Sequence, residues 1–173
     1  YILSANPPER ALSVTRPGWH GGRYIAVDGT VYGAGTDRIM LQVGGTLPKP
    51  EKSGTAQSWR ENVAGYATGN SRLIFAISAA LAGVLLFPSN EGSGGFHFAG
   101  GSSTGKTTGL RVAASVWGLP LRSWRTTDNA AESWARFAND GFLPIDELGQ
   151  VDGRAADAMA YMLGNGQTKG RAS

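Results

Sequence analysis

"GFHFAGGSSTGKTTGLRVAASVWG", residues 95–118, joins an aromatic stretch to a helical one through little but small side chains. Within it, Gly100, Gly101, Ser102, Ser103, Thr104, Gly105, Lys106 and Thr107 fit G-x-x-x-x-G-K-[ST] without exception. Each part of the pattern has a physical reason. Small residues let successive backbone N–H groups turn inward around a phosphate, and the N-terminus of the following helix adds partial positive charge. Gly105 takes a path that side-chain-bearing residues follow less easily. Lys106 would reach the β- and γ-phosphates, the Thr107 hydroxyl would sit on Mg²⁺, and Thr108 would close the nucleotide-binding run. The competing reading is a glycine-rich turn with an incidental lysine. At this chain's residue frequencies a chance match is expected on the order of 0.01 times per chain.

Around this loop the rhythm is strand, loop, helix. "FHFAG" reads as a short strand, and residues 107–117 as a helix ended by "GLP". "LRSW" reads as a second strand, and "TTDNAAESWARFAND" as a helix with Thr127 or Asp128 at its N-cap. "GFLPIDEL" is a strand running into acid, and "DGRAADAMAYMLGNG" a final amphipathic helix. Such alternation implies a parallel sheet covered by helices. At the end of the acidic strand, Asp146 is placed to hold Mg²⁺, directly or through water. Glu147 is placed to polarise the attacking water as general base, beside Lys106 as the second catalytic residue. A surface Asp-Glu pair after a buried strand is the plain alternative. Pro144 lies inside this strand and cannot donate to a ladder, so it calls for an edge or an unpaired position.

Upstream the pattern differs. "ALSVT", "RYIAVDGTVYGAG" and "IMLQVGG" are β-type runs, and Asp28-Gly29 is a hairpin signal. After a Pro- and Gly-bearing link at residues 46–54 come two helical patterns, "AQSWRENVAGYATG" and the apolar run at residues 73–87. That run falls short of the roughly 20 residues needed to span a bilayer, with Asn70 and Ser71 as an N-cap and Pro88 as a stop, so a buried helix is expected. The expected organisation is a β-rich region at 1–50, a helical connector at 51–91 and a core at 92–173 truncated on its C-terminal side. The missing initiator Met and the ending "TKGRAS" read as a fragment of something larger.

Composition narrows the classes. Hydrophobic residues make up 41%, which excludes a disordered tail. The 26 glycines are about twice the average share, without a Gly-X-Y period. A net charge of +3 permits an anionic partner without demanding one, since basic residues are scattered. With no cysteine there is no disulfide framework, which suits a reducing cytoplasm, and the two histidines are too separated for a metal site.

The blocks "GGFHFAGGSSTGKTTGLRVAASVWG", "SWRTTDNAAESWA", "NDGFLPIDELGQVD" and "AYMLGNGQTKGRA" resemble a family of P-loop ATPase domains of formally unknown function. The resemblance extends upstream to "RPGWH" and "GNSRLIFAISAALAGVLL", and so covers most of the chain. Members occur in phage, plasmid and prophage proteins, often behind a primase module, and are described as primase–helicases. The resemblance implies an α/β P-loop NTPase-like parallel sheet with flanking helices, preceded by a small β-rich region and a helical pair. It also implies ATP and Mg²⁺ at residues 100–107 and at Asp146 and Glu147. For Thr126, Thr127, Asp128 and Asn129 it suggests a contact to nucleotide or Mg²⁺, against plain helix capping. Two positions depart from the family pattern: Pro144 replaces an aliphatic residue, and Thr168 stands where glycine is usual. Residues sensing the γ-phosphate, and an arginine finger, are expected beyond this chain or on a neighbouring subunit in a homo-oligomeric ring. Lys169 and Arg171 belong to such a segment, touch DNA or form a solvated tail.

The function expected from these readings is an ATPase that couples hydrolysis to movement on DNA during replication, with no membrane involvement. A nucleotide switch without motor activity would lack DNA-stimulated hydrolysis. A small-molecule kinase uses the same loop, but no Arg-rich lid is evident. A scaffold would bind through its β-rich part, where Trp19, Tyr24 and Tyr32 either stack on single-stranded bases or pack in a core.

Overall fold

The computed structural model describes residues 11–43 and 50–165. Its first strands are β1 (Ala11–Val14), β2 (Gly18–His20), β3 (Arg23–Ile25), β4 (Val31–Tyr32) and β5 (Arg38–Leu41). Asp28 and Gly29 make the hairpin that joins β3 to β4. Gly29 takes φ +86°, a left-handed value that glycine adopts without a Cβ clash. Its N–H donates to the Ala26 carbonyl, and the Thr30 N–H donates to the Asp28 carboxylate. β2 pairs antiparallel with the other side of β3, giving the order β2-β3-β4. β1 and β5 form a separate parallel pair, with Ala11 opposite Arg38.

Helices follow. Thr55 and Ser58 form a reciprocal capping box that starts α1 (Ala56–Asn62). A 3₁₀ turn at Ala64–Ala67 then leads to α2 (Ser71–Leu86), where the Asn70 side chain accepts the Leu73 N–H at 3.2 Å. α2 departs from the buried helix expected of so apolar a run. Only Ala76, Ala80 and Gly83 are buried, while Ile74, Leu81 and Leu85 are exposed. The reason is coverage. The buried residues recur at helical spacing and make one narrow stripe of small side chains, and that flank carries the close packing against other elements of the chain.

One of those elements is α3 (Lys106–Ser115), the helix that starts at the glycine loop. Ala76, Ala80 and Ala113 form its buried contact with α2, and Phe98, Val116, Trp117 and Phe142 pack around them. The Trp117 indole N–H donates to the Ala80 carbonyl at 2.7 Å. α3 ends in a left-handed Gly118 (φ +63°), with the Leu119 N–H returning to the Ala114 carbonyl. The other element is the turn around Gly141, whose carbonyl lies where a Cβ on Gly83 would go.

β6 (Arg122–Ser123) and β7 (Ile145–Asp146) pair in parallel, Arg122 opposite Ile145 and Ser123 opposite Asp146. Between them lies α4 (Asp128–Phe137), capped by Thr127, and α5 (Gly153–Asn165) ends the described chain. Pro144 is accommodated because it precedes the ladder. Its carbonyl accepts the Arg122 N–H at 2.9 Å, and its ring is fully buried.

The "FHFAG" segment differs from expectation. Residues 96–100 form no strand ladder. Phe96 and Phe98 instead pack edge-to-face on Phe75 of α2, with centroids 4.8 and 6.2 Å apart. Alternation of side chains is a local property, whereas a ladder needs a partner strand at the right edge, and β6 and β7 pair only with each other. The described architecture is therefore mixed α/β with small sheets.

The β-rich region is tied to the rest by long-range bonds. The Trp19 N–H donates to Asp140 at 2.9 Å and its indole N–H to the Val84 carbonyl at 2.8 Å. The Asn139 amide donates to the Pro17 carbonyl, and Arg136 Nε to the Thr15 carbonyl. Tyr24 packs edge-to-face on Trp19 and at a tilt on Trp117, with ring centroids 5.5 and 6.3 Å apart. Of the three aromatics considered for base stacking, Trp19 and Tyr24 are thus packed, and Tyr32 is 59% exposed. No helix among the described residues is long and apolar enough to cross a membrane.

Candidate functional site

The glycine loop closes on itself through backbone geometry. Gly100 (φ +156°), Ser103 (φ +59°) and Gly105 (φ +82°) all have positive φ, and Gly105 is the N-cap of α3. Ser103 is the unusual member, since left-handed backbone disfavours a side chain. The loop is braced from within. Thr104 Oγ1 donates to the Gly101 carbonyl at 3.0 Å. Lys106 Nζ donates to the Gly100 carbonyl at 2.9 Å, to the Gly101 carbonyl, and to Thr104 Oγ1 at 3.4 Å. The ammonium group thus folds back over the loop and onto the loop's own carbonyls. Ser103, Thr104, Gly105, Lys106, Thr107 and Thr108 line an open concavity of about 290 Å³. Behind them, Gly109 is buried against Leu73 of α2.

Asp146 and Glu147 stand together at the end of β7. The Asp146 carboxylate accepts the Glu147 N–H at 2.8 Å. Glu147 is a left-handed residue (φ +68°) that turns the chain into a 3₁₀ turn at Leu148–Gln150. Its Oε2 accepts a hydrogen bond from Ser123 Oγ at 2.9 Å. So Gly100, Gly101, Thr104 and Lys106 are gathered at one place, and Asp146 and Glu147 at another. No hydrogen bond or ion pair joins the two groups among the described residues.

No cluster of three or more His, Cys, Asp or Glu suited to a metal occurs among the described residues. Thr107 carries a hydroxyl and Asp146 a carboxylate, both hard oxygen donors of the chemical kind that suits Mg²⁺.

Over residues 1–173 the chain matches the family described as Domain of unknown function (DUF927). The chain belongs to that family. No curated protein and no solved structure matches it.

Two features of this DUF927 chain escaped sequence reading. Ser123 was legible only as part of a strand, yet it bonds Glu147 and also accepts the Arg125 N–H at 3.1 Å. The usable signal was its place at the C-terminal end of a strand neighbouring the acidic one. Thr104, read as one more small loop residue, braces the loop through its hydroxyl. Thr127 caps α4 by accepting the Ala130 N–H at 3.3 Å, which gives the "TTDN" block a structural role. Lys169, Arg171 and Thr168 lie outside the described residues.

Proposed function

We propose that this DUF927 chain binds a nucleoside triphosphate with Mg²⁺ and hydrolyses it, as the ATPase module of a replication protein that moves on DNA. The observation that carries the reading is the loop at residues 100–107, with Lys106 folded over its mouth. The β- and γ-phosphates would displace the lysine from the Gly100 and Gly101 carbonyls and take its ammonium as a partner. Backbone N–H groups and the α3 N-terminus would meet the remaining phosphate charge. Thr107 and Asp146 would hold Mg²⁺, which would supply positive charge to offset that of the phosphates. Glu147 would accept a proton from water as the water oxygen attacks the γ-phosphorus. The bond to the bridging oxygen then breaks, and its electron pair leaves with the diphosphate. The resemblance to primase–helicase proteins supports DNA as the track and a ring of subunits as the assembly.

The test is titration of the protein with a fluorescent ATP analogue plus Mg²⁺, followed by turnover measurements with and without single-stranded DNA. Saturable binding that is lost in Lys106→Ala is expected, along with turnover that rises on adding DNA. Binding unchanged in Lys106→Ala would overturn the nucleotide reading. Turnover indifferent to DNA would reduce the motor to a switch.

A further inference from the structure

We infer that Ser123 is a positioning residue for Glu147: its hydroxyl holds one carboxylate oxygen so that the other faces the reacting water. This rests on the hydrolytic reading above and adds a residue that neither the loop pattern nor the acidic pair contains.

The hydrogen-bond directions follow from chemistry alone. A hydroxyl has one proton to give and lone pairs to receive. Ser123 Oγ lies 3.1 Å from the Arg125 N–H, which can only donate, and 2.9 Å from Glu147 Oε2, which as a carboxylate only accepts. The single hydroxyl proton is therefore committed to Glu147, and the Arg125 amide keeps the hydroxyl from rotating away. Ser123 is itself fixed by the β6–β7 ladder, where it stands opposite Asp146 and the next residue, Trp124, donates its N–H to the Asp146 carbonyl at 3.0 Å. The Glu147 backbone is fixed from the other side, by its left-handed φ and its N–H bond to Asp146.

An exposed glutamate normally samples many rotamers, and catalysis by proton transfer needs one of them. Here both ends of Glu147 are tethered while Oε1 receives no hydrogen bond from the described residues. A purely structural role for Ser123, stitching β6 to β7, predicts lost stability without a selective loss of turnover. The positioning role predicts the reverse.

The experiment compares wild type, Ser123→Ala and Ser123→Thr in the full chain by three measurements. These are steady-state ATP hydrolysis, binding of a fluorescent ATP analogue with Mg²⁺, and the carbon-13 carboxylate resonance of Glu147 without nucleotide. Ser123→Ala should lower kcat by up to about 10²-fold, the scale of a misplaced reacting group, with KM and analogue affinity unchanged. Ser123→Thr, which keeps the hydroxyl, should restore kcat. The Glu147 resonance should move in the alanine variant and return in the threonine variant. A wild-type kcat in Ser123→Ala, a threonine variant as slow as the alanine one, or an unmoved resonance each overturns the tether and leaves the nucleotide site standing. A wild type that neither binds the analogue nor hydrolyses ATP overturns the parent reading, and the tether's role with it.

Discussion

Glycines at three places in this chain serve different ends, and substitution separates them. Gly83 sits in α2 with the Gly141 carbonyl where its Cβ would be, and that neighbour is backbone. Gly83→Ala should therefore destabilise the fold by about 3 kcal/mol, at the upper end of overpacking costs, read as a lower urea midpoint. Gly109 is equally buried, but an added Cβ would meet only Leu73 Cδ2 at 3.5 Å, an ordinary contact. Gly109→Ala should be neutral or stabilising by up to about 1 kcal/mol, because alanine favours helix. Gly105 has φ +82° and open space around it, so its constraint is backbone angle alone. At Glu147 the expectation is chemical. Glu147→Gln should cut turnover by about 10²-fold or more while the ATP analogue still binds, since the amide cannot take the proton.

The starts of α2 and α4 are each set by a side chain that the sequence names, whereas α3 starts at the left-handed Gly105 without one. Asn70 accepts the Leu73 N–H ahead of α2, and Thr127 accepts the Ala130 N–H ahead of α4. Asn70→Ala and Thr127→Ala should each cost about 1 kcal/mol in chemical denaturation, the usual worth of such a cap. Thr127→Ala should leave affinity for the ATP analogue unchanged if capping is its whole role. A weakened affinity would move Thr127 into the nucleotide site. At the strand level, Pro144 shows how position decides what a residue costs. A proline in the ladder would break it, but here the ladder starts after the ring, and the carbonyl still pairs.

Across the whole molecule, the β-rich region and the loop-bearing part are joined around Tyr24. Its ring lies against Trp19 and Trp117, and its phenol is pushed from 10.0 up to about 12, chiefly by burial and then by the Asp140 carboxylate. A raised phenol pKa means the folded state keeps a proton that the unfolded chain releases. The associated stability is complete below pH 10 and is lost as pH climbs from 10 toward 12. Tyr24→Phe should flatten that alkaline loss in denaturation midpoints measured across this window. Asp140→Asn should flatten it less, because burial is the larger cause. It should also lower stability at neutral pH by weakening the bond from the Trp19 N–H.

The loop and the helices were legible from local pattern. The loop from Gly100 through Thr107 can be read because its glycines and Lys106 are consecutive residues, and the caps and hairpin can be read because each closes within a few positions. The exposed flank of α2 and the unpaired "FHFAG" segment were not, and of the two readings for Trp19 and Tyr24 only the fold selected packing. Each depends on what another part of the chain brings alongside, and hydropathy says that a surface is apolar without saying whether anything covers it. So the amino-acid order determined the glycine-loop pattern, the acidic pair and where helices begin. Tertiary structure alone decided that Ser123 reaches Glu147 and that Trp19 locks onto Asp140 and Val84. Such bonds join residues far apart along the chain, and only the folded backbone sets the distances between them.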